Sequence, residues 1–206
     1  MSQPVIPLGH ARGERADAAR NREHLLEVAR ELIVEAGAEK VTMDGLAERA
    51  CLGKGTVFRR FGTRAGIFHA LLDEDESCFQ QAVLTGPAPL GPGADPVPRL
   101  IAYGRERVAF MLEHITIFRA TLDGKRPTPS RSTSFSPLHI RMLLGEARRY
   151  GVLDITDLDS LSVQLTAALE GPLLLALMTL DLDVERRADT RLADSWQTLI
   201  EHLCRP

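Results

Sequence analysis

The chain has 206 residues, of which 44% are apolar, 26% charged and 5% aromatic, and its 25 Lys and Arg against 28 Asp and Glu give a formal net charge of −3. That apolar share is enough to bury a sizeable core and excludes an overall disordered chain, while the lack of any run of about eighteen apolar residues excludes a membrane span. Cys51, Cys78 and Cys204 are scattered and odd in number, which argues against a disulfide framework and a zinc site, and the polar start MSQPVIPLGHARGER is not a secretory signal, so the expected location is the cytoplasm.

Residues 1–16 read as a flexible arm. The first helix is predicted over Asp17 to Ala36, with Leu25, Val28, Ala29, Leu32, Ile33 and Ala36 on its core face and Gly37 as its stop. Thr42 then caps a short helix whose Met43, Leu46, Ala47 and Ala50 share one face. The period breaks at Cys51-Leu52-Gly53, and a third helix follows with Val57, Phe58 and Phe61 as its apolar positions. Small Ala47 allows a close crossing of these two helices, with Leu52 between them, as a helix-turn-helix requires. Lys54, Thr56, Arg59 and Arg60 fall on the outer side of the third helix. From Lys54 to Arg64 the chain has four basic residues and no acid, and residues 10–64 hold 11 basic and 9 acidic side chains in a chain that is acidic overall. A basic rod on an acidic body calls for a negatively charged partner held in one orientation.

Thr63 caps a fourth helix with Ile67, Phe68, Leu71, Leu72, Phe79 and Val83 on its apolar face, and Gly86 to Pro96 is a linker. Asp95 and Pro96 start a fifth helix carrying Leu100, Ile101, Tyr103, Val108, Phe110, Met111 and Leu112, and a short sixth runs from Ile115 to Leu122. Asp123 to Pro137, rich in Ser, Thr and Pro, reads as a mobile loop. Ser136 and Pro137 open a seventh helix that closes at Tyr150-Gly151. Thr156 and Asp159 have capping-box-like spacing before an eighth, striped by Leu161, Leu165, Ala168, Leu169, Leu173 and Leu177. Pro172 inside it predicts a bend that either opens room for a ligand or shapes a dimer seam. The last helix carries Leu192, Trp196, Leu199 and Leu203. The fold class is therefore all-α with about nine helices. Leu173, Leu177, Trp196 and Leu199 offer more apolar stripe than one small domain needs to bury, which marks the last two helices as a homodimer surface.

The stretch VTMDGLAERACLGKGTVFRRFGTRAGIF, Val41 to Phe68, resembles the DNA-binding segment of the TetR family of transcription regulators, in its VTM start, its KGT run and its aromatic-x-x-Phe end. Gly53 departs from the serine cap usual there and Phe58 from the usual tyrosine. The resemblance implies a helix-turn-helix head over residues 17–64, in which Thr42, Lys54, Gly55, Thr56, Phe58, Arg59, Arg60 and Arg64 meet double-stranded DNA. It implies an effector-binding and dimerisation domain over residues 65–206, a palindromic operator, and release by a small-molecule effector. Phe79, Phe110, Met111, His114, Phe118, His139, Met142 and Met178 are the lining candidates, although apolar residues at helical spacing fill cores first. No cofactor or metal is called for. G-x-S-x-G, H-E-x-x-H, P-loop and dinucleotide motifs are all missing, so an enzyme is not expected.

Overall fold

A computed structural model describes the backbone of residues 10–122, 135–179 and 183–204, and the side chains of residues 17–121, 135–172 and 191–204. Among the described residues there are nine α-helices and one 3-10 turn, and no strand. The helices are α1 (His10–Ala36), α2 (Met43–Arg49), α3 (Lys54–Phe61), α4 (Arg64–Thr85), α5 (Pro96–Glu113), α6 (Ile115–Leu122), α7 (Phe135–Arg149), α8 (Leu158–Thr179) and α9 (Asp183–Leu203). No helix among the described residues is long and apolar enough to cross a membrane. Two units divide the chain, Met1–Leu71 and Leu72–Pro206, so the division falls inside α4.

In the first unit α1 starts at His10, not at Asp17, which removes residues 10–16 from the expected arm. The segment HARGERADAAR is rich in alanine and arginine and lacks proline, so nothing local stops the helix from continuing backwards. Leu25, Leu26, Val28 and Ala29 of α1, Met43, Leu46 and Ala47 of α2 with its C-cap Ala50, Val57 of α3, and Ile67, Phe68 and Leu71 of α4 are all buried. The core face of α1 is the expected one through Leu25, Val28 and Ala29, with Leu32 and Ile33 half-buried; Leu26 joins it, while Ala36 at the helix end is exposed. Thr42 Oγ1 accepts the Gly45 N–H at 3.0 Å, and Thr63 Oγ1 accepts the Gly66 N–H at 3.1 Å, so both expected caps are made. The turn after α2 is a Schellman motif, with the Leu52 N–H on the Ala47 carbonyl and the Cys51 N–H on that of Glu48. The residue in the left-handed conformation is Cys51, at φ 53°, where glycine would be expected.

In the second unit α5 is the central helix, packed by α7, α8 and α9. Its core joins Leu100, Tyr103 and Val108 of α5 to Ile140, Leu143 and Leu144 of α7, Leu165 and Leu169 of α8, and Trp196 and Ile200 of α9. A closest-approach position fixes α9 on α5: a Cβ on Gly104 would lie 2.0 Å from Trp196 Nε1, so only glycine admits the indole. Trp196 Nε1 donates to the Leu100 carbonyl at 2.9 Å. The buried stripe of α9 is therefore Ala193, Trp196, Ile200 and Cys204, with Leu192 and Leu203 at its margins and Leu199 facing out. The α8 cap is Asp157, whose Oδ1 accepts the Ser160 N–H at 3.0 Å, one residue beyond the expected Thr156. That bond and its companions hold the Asp157 carboxyl below the usual carboxylate range. Helix α7 begins at Phe135, so Pro137 sits in its first turn and not in a loop. The rest of the expected loop, residues 123–134, lies outside the described residues.

Candidate nucleic-acid interface and ligand site

The outer face of α3 is built by one inward residue. Val57 is fully buried, and helical geometry then turns Lys54, Gly55, Phe58 and Arg59 outward, all exposed, with Thr56 half-buried at the margin. Phe58 is 48% exposed, an apolar ring presented to solvent. Gly53, the N-cap at φ −65° and ψ 139°, makes no side-chain cap bond, and nothing lies within 4 Å of a Cβ placed on it or on Gly55. The helix start is thus open to a close-approaching partner, with unpaired N–H groups favouring an anion.

The basic residues of this region divide by what they touch. Arg59 makes no hydrogen bond among the described residues. Lys54 pairs with Asp44 at 2.8 Å, both well exposed, a contact worth little and readily exchanged for a phosphate. Arg60 Nη2 donates to the Ala18 carbonyl at 2.9 Å, tying the last turn of α3 to α1. Arg64 departs from expectation. Its Nε donates to the Val41 carbonyl and its Nη2 to that of Ala38, both at 2.7 Å, and its guanidinium lies 4.9 Å from the Phe68 ring centroid. These carbonyls close the connection between α1 and α2, so Arg64 is a brace of the head. Thr42 is exposed, and its hydroxyl oxygen accepts the α2 cap bond while its O–H can still donate.

The second unit brings several of the expected lining residues together around a cluster that the sequence reading did not contain. Arg107 of α5 is buried and donates from Nη1 to Glu76 Oε2 of α4 at 2.5 Å and from Nη2 to Glu170 Oε1 of α8 at 3.2 Å. Ser136 Oγ of α7 donates to the same Glu170 oxygen at 3.0 Å and accepts from Tyr103 OH at 2.8 Å. Burial opposes the Arg107 charge, and the two carboxylates more than restore it. Burial also raises the Tyr103 hydroxyl to about 12. Phe79 and Phe110 flank the guanidinium, their ring centroids 5.7 and 5.4 Å from its carbon. His139 stacks on Phe135 at 5.5 Å and lies 4.8 Å from Tyr103; it is buried, its Nε2 has no hydrogen-bond partner among the described residues, and burial, with the charge of Arg99, lowers it to about 4, which keeps it neutral. His114 is set by two acceptors, the Phe110 carbonyl at 2.7 Å from Nδ1 and Asp75 at 3.0 Å from Nε2. Met111 and Phe118 pack in the small core around Phe110.

One lining candidate and one dimer candidate lie elsewhere than expected. Met142 faces outward, 43% exposed, on the rim of a groove of about 390 Å³ with Arg141, Gly145, Arg148, Arg149 and Leu158. Trp196, expected on the dimer surface, is a core residue seated on Gly104, whereas Leu199 is 42% exposed. The side chains of Leu173, Leu177 and Met178 lie outside the described residues. Pro172 lines a cleft of about 70 Å³ with Leu169, Ser195 and Leu199, too small for a drug-sized ligand. The sequence did carry a signal for the missed cluster. Phe68, Leu72, Glu76, Phe79 and Val83 are spaced by four, four, three and four, and Arg107 stands in the same way among Leu100, Tyr103 and Phe110, so each charge occupies a core position of its helix.

Residues 25–71 match the family profile described as bacterial regulatory proteins, tetR family. An HTH-type transcriptional regulator of Staphylococcus aureus is 31% identical over 65 residues, 32% of this chain and 35% of the relative, so the chain spans about a third of the length of the curated relatives it matches. A TetR-family transcriptional regulator from Pectobacterium atrosepticum superposes with a TM-score of 0.74 at 19% identity, over 92% of this chain and 97% of that one. NalD, the secondary repressor of the MexAB-OprM multidrug efflux pump in Pseudomonas aeruginosa, gives 0.55 at 17% identity, over 88% and 95%. The amino-terminal segment is thus similar to the DNA-binding part of the tetR family of bacterial regulatory proteins, and the chain has the fold of solved TetR-family regulators.

Proposed function

We propose that the chain is a ligand-responsive transcriptional repressor that binds a palindromic operator as a homodimer and is released by a small-molecule effector. The observation that carries this reading is the outer face of α3, where Lys54, Gly55, Phe58 and Arg59 are all exposed around a fully buried Val57. An α-helix fits the major groove, phosphates reward the cations, and an unhindered glycine lets the backbone approach the duplex. One such helix reads only a few base pairs, so specificity calls for a two-fold pair of half-sites about 34 Å or a multiple of it apart. Leu199 on α9, with the outward positions of α8, supplies the surface for that pairing. The effector occupies the helical second unit beside the Arg107 cluster, where Phe79 and Phe110 flank the guanidinium and His139 lies against Tyr103.

The test is fluorescence anisotropy with the DNA flanking the gene, run at several salt concentrations. Specific binding that weakens steeply with salt supports the reading. Salt-independent or sequence-blind binding overturns it. Sedimentation of Leu199→Arg, expected as a monomer with no specific binding, tests the pairing surface.

A further inference from the structure

We infer that the effector is a compact organic cation with an apolar body, and that Glu170 receives its positive end. This rests on the regulatory reading above and adds to it the chemical class of the ligand. The hydrogen-bonded cluster contains two carboxylates, Glu76 and Glu170, around a single guanidinium. Glu76 is the committed one, held at 2.5 Å with its side chain only 8% exposed. Glu170 is the open one. Its side chain is 20% exposed, one oxygen serves both Arg107 and Ser136, and no hydrogen bond reaches its second oxygen among the described residues. The negative excess of the cluster therefore sits at Glu170.

Each class of ligand meets this arrangement differently. An anion would face two carboxylates and a guanidinium whose terminal nitrogens are already taken. A neutral apolar molecule would cover Glu170 without pairing it, at the cost of a desolvated charge. A cation completes the charge balance and gains the ring faces, which bind cations by their quadrupoles. The site already displays that chemistry, since the Arg107 guanidinium itself lies over Phe79 and Phe110. On the Glu170 side, Tyr103, Phe135 and His139 form a second aromatic group, with Tyr103 and Phe135 centroids 6.5 Å apart and the His139 ring within 9° of parallel to Phe135. His139 Nε2, on a side chain about nineteen-twentieths buried, is a polar atom with no hydrogen-bond partner among the described residues. A cation at Glu170 draws that carboxylate from Arg107, and Arg107 is the group that holds Glu76 on α4.

Calorimetry on the full chain with three isosteric probes tests the class: benzyltrimethylammonium, the neutral neopentylbenzene, and phenylmethanesulfonate. The expected result is that the cation binds at least about tenfold more tightly than either other probe, and that Glu170→Gln removes at least about tenfold of its affinity, with Ser136→Ala lowering it less. Circular dichroism confirms that both variants are folded. Equal or tighter binding of the neutral or anionic probe, no binding of any of the three, or unchanged affinity in folded Glu170→Gln overturns the inference. Operator binding by the ligand-free wild-type chain is measured alongside: its absence sinks the regulatory reading, whereas a wrong probe preference with operator binding intact sinks only the ligand class.

Discussion

Replacing Arg59 and Arg64 by alanine, one at a time, separates two tasks that look alike in the sequence. Arg64 donates two charge-assisted bonds to backbone carbonyls at 2.7 Å and covers the Phe68 ring. Bonds to a charged group contribute about 1.5–3 kcal/mol each. Because Arg64 is half-exposed, solvent screening reduces that sum, and a loss of about 3 kcal/mol for Arg64→Ala is expected. That is a large part of the ~5–15 kcal/mol that holds a typical domain. Arg59 is exposed and makes no hydrogen bond among the described residues, so its loss should leave stability within about 0.5 kcal/mol. On DNA the order reverses. Removing one phosphate contact lowers the slope of log K against log salt by about 0.9, and Arg59→Ala should show that drop, whereas Arg64→Ala, at a temperature where it is folded, should keep the wild-type slope. Urea titrations and salt-series anisotropy on the same preparations give both numbers. A normal stability with a reduced slope in Arg64→Ala would refute the bracing role.

Gly104→Ala should destabilise the second unit by about 1–3 kcal/mol through overpacking against Trp196, yet become stabilising by up to about 1 kcal/mol in a Trp196→Ala background, where only the helix propensity remains; denaturant melts at fixed protein concentration would show the sign change. Cys51→Gly should raise the melting temperature slightly, by a gain of about 1 kcal/mol or less, because φ 53° strains a side-chain-bearing residue, and a fall would argue that the thiol has a packing role. His139 has its folded value lowered to about 4 from an ordinary 6.5, so the unfolded chain binds the proton first. Its contribution is fully present above pH 6.5 and falls by about 3 kcal/mol as pH drops toward 4; His139→Leu should flatten that part of the stability profile, measured by urea melts at each pH.

The head was legible because its determinants are local. Thr42, Thr63 and the small-residue face of α2 each act within four residues of chain, and the spacing alone places Val57 inward and Arg59 outward. What the spacing could not provide was partner identity at long range. Arg64 has the same charge as Arg59, and only the fold brings the Val41 and Ala38 carbonyls, more than twenty residues away, within its reach. Trp196 and Leu199 were equivalent members of one stripe until Gly104, on another helix, offered a hole to the first and nothing to the second. The α1 start was misplaced for the opposite reason: no cap or proline marks it, and the composition of residues 10–16 carries the helix past the expected boundary.

The buried cluster is harder to account for by stability than any apolar part of the second unit. Breaking a buried ion pair by deleting one partner leaves a bare charge, so Arg107→Met and Glu76→Leu should each cost about 3–5 kcal/mol. Replacing the whole set is different, because each ion has already lost most of its hydration and apolar side chains of similar volume do not. The triple variant Glu76→Leu, Arg107→Met, Glu170→Leu should therefore be as stable as the wild type or up to about 4 kcal/mol more stable, packed against Phe79, Phe110 and Tyr103. If denaturant melts bear that out while the variant still binds its operator and no longer responds to any ligand, the charges serve response and not folding. A triple variant less stable than both single variants would show instead that the ion network is what holds α4, α5 and α8 together.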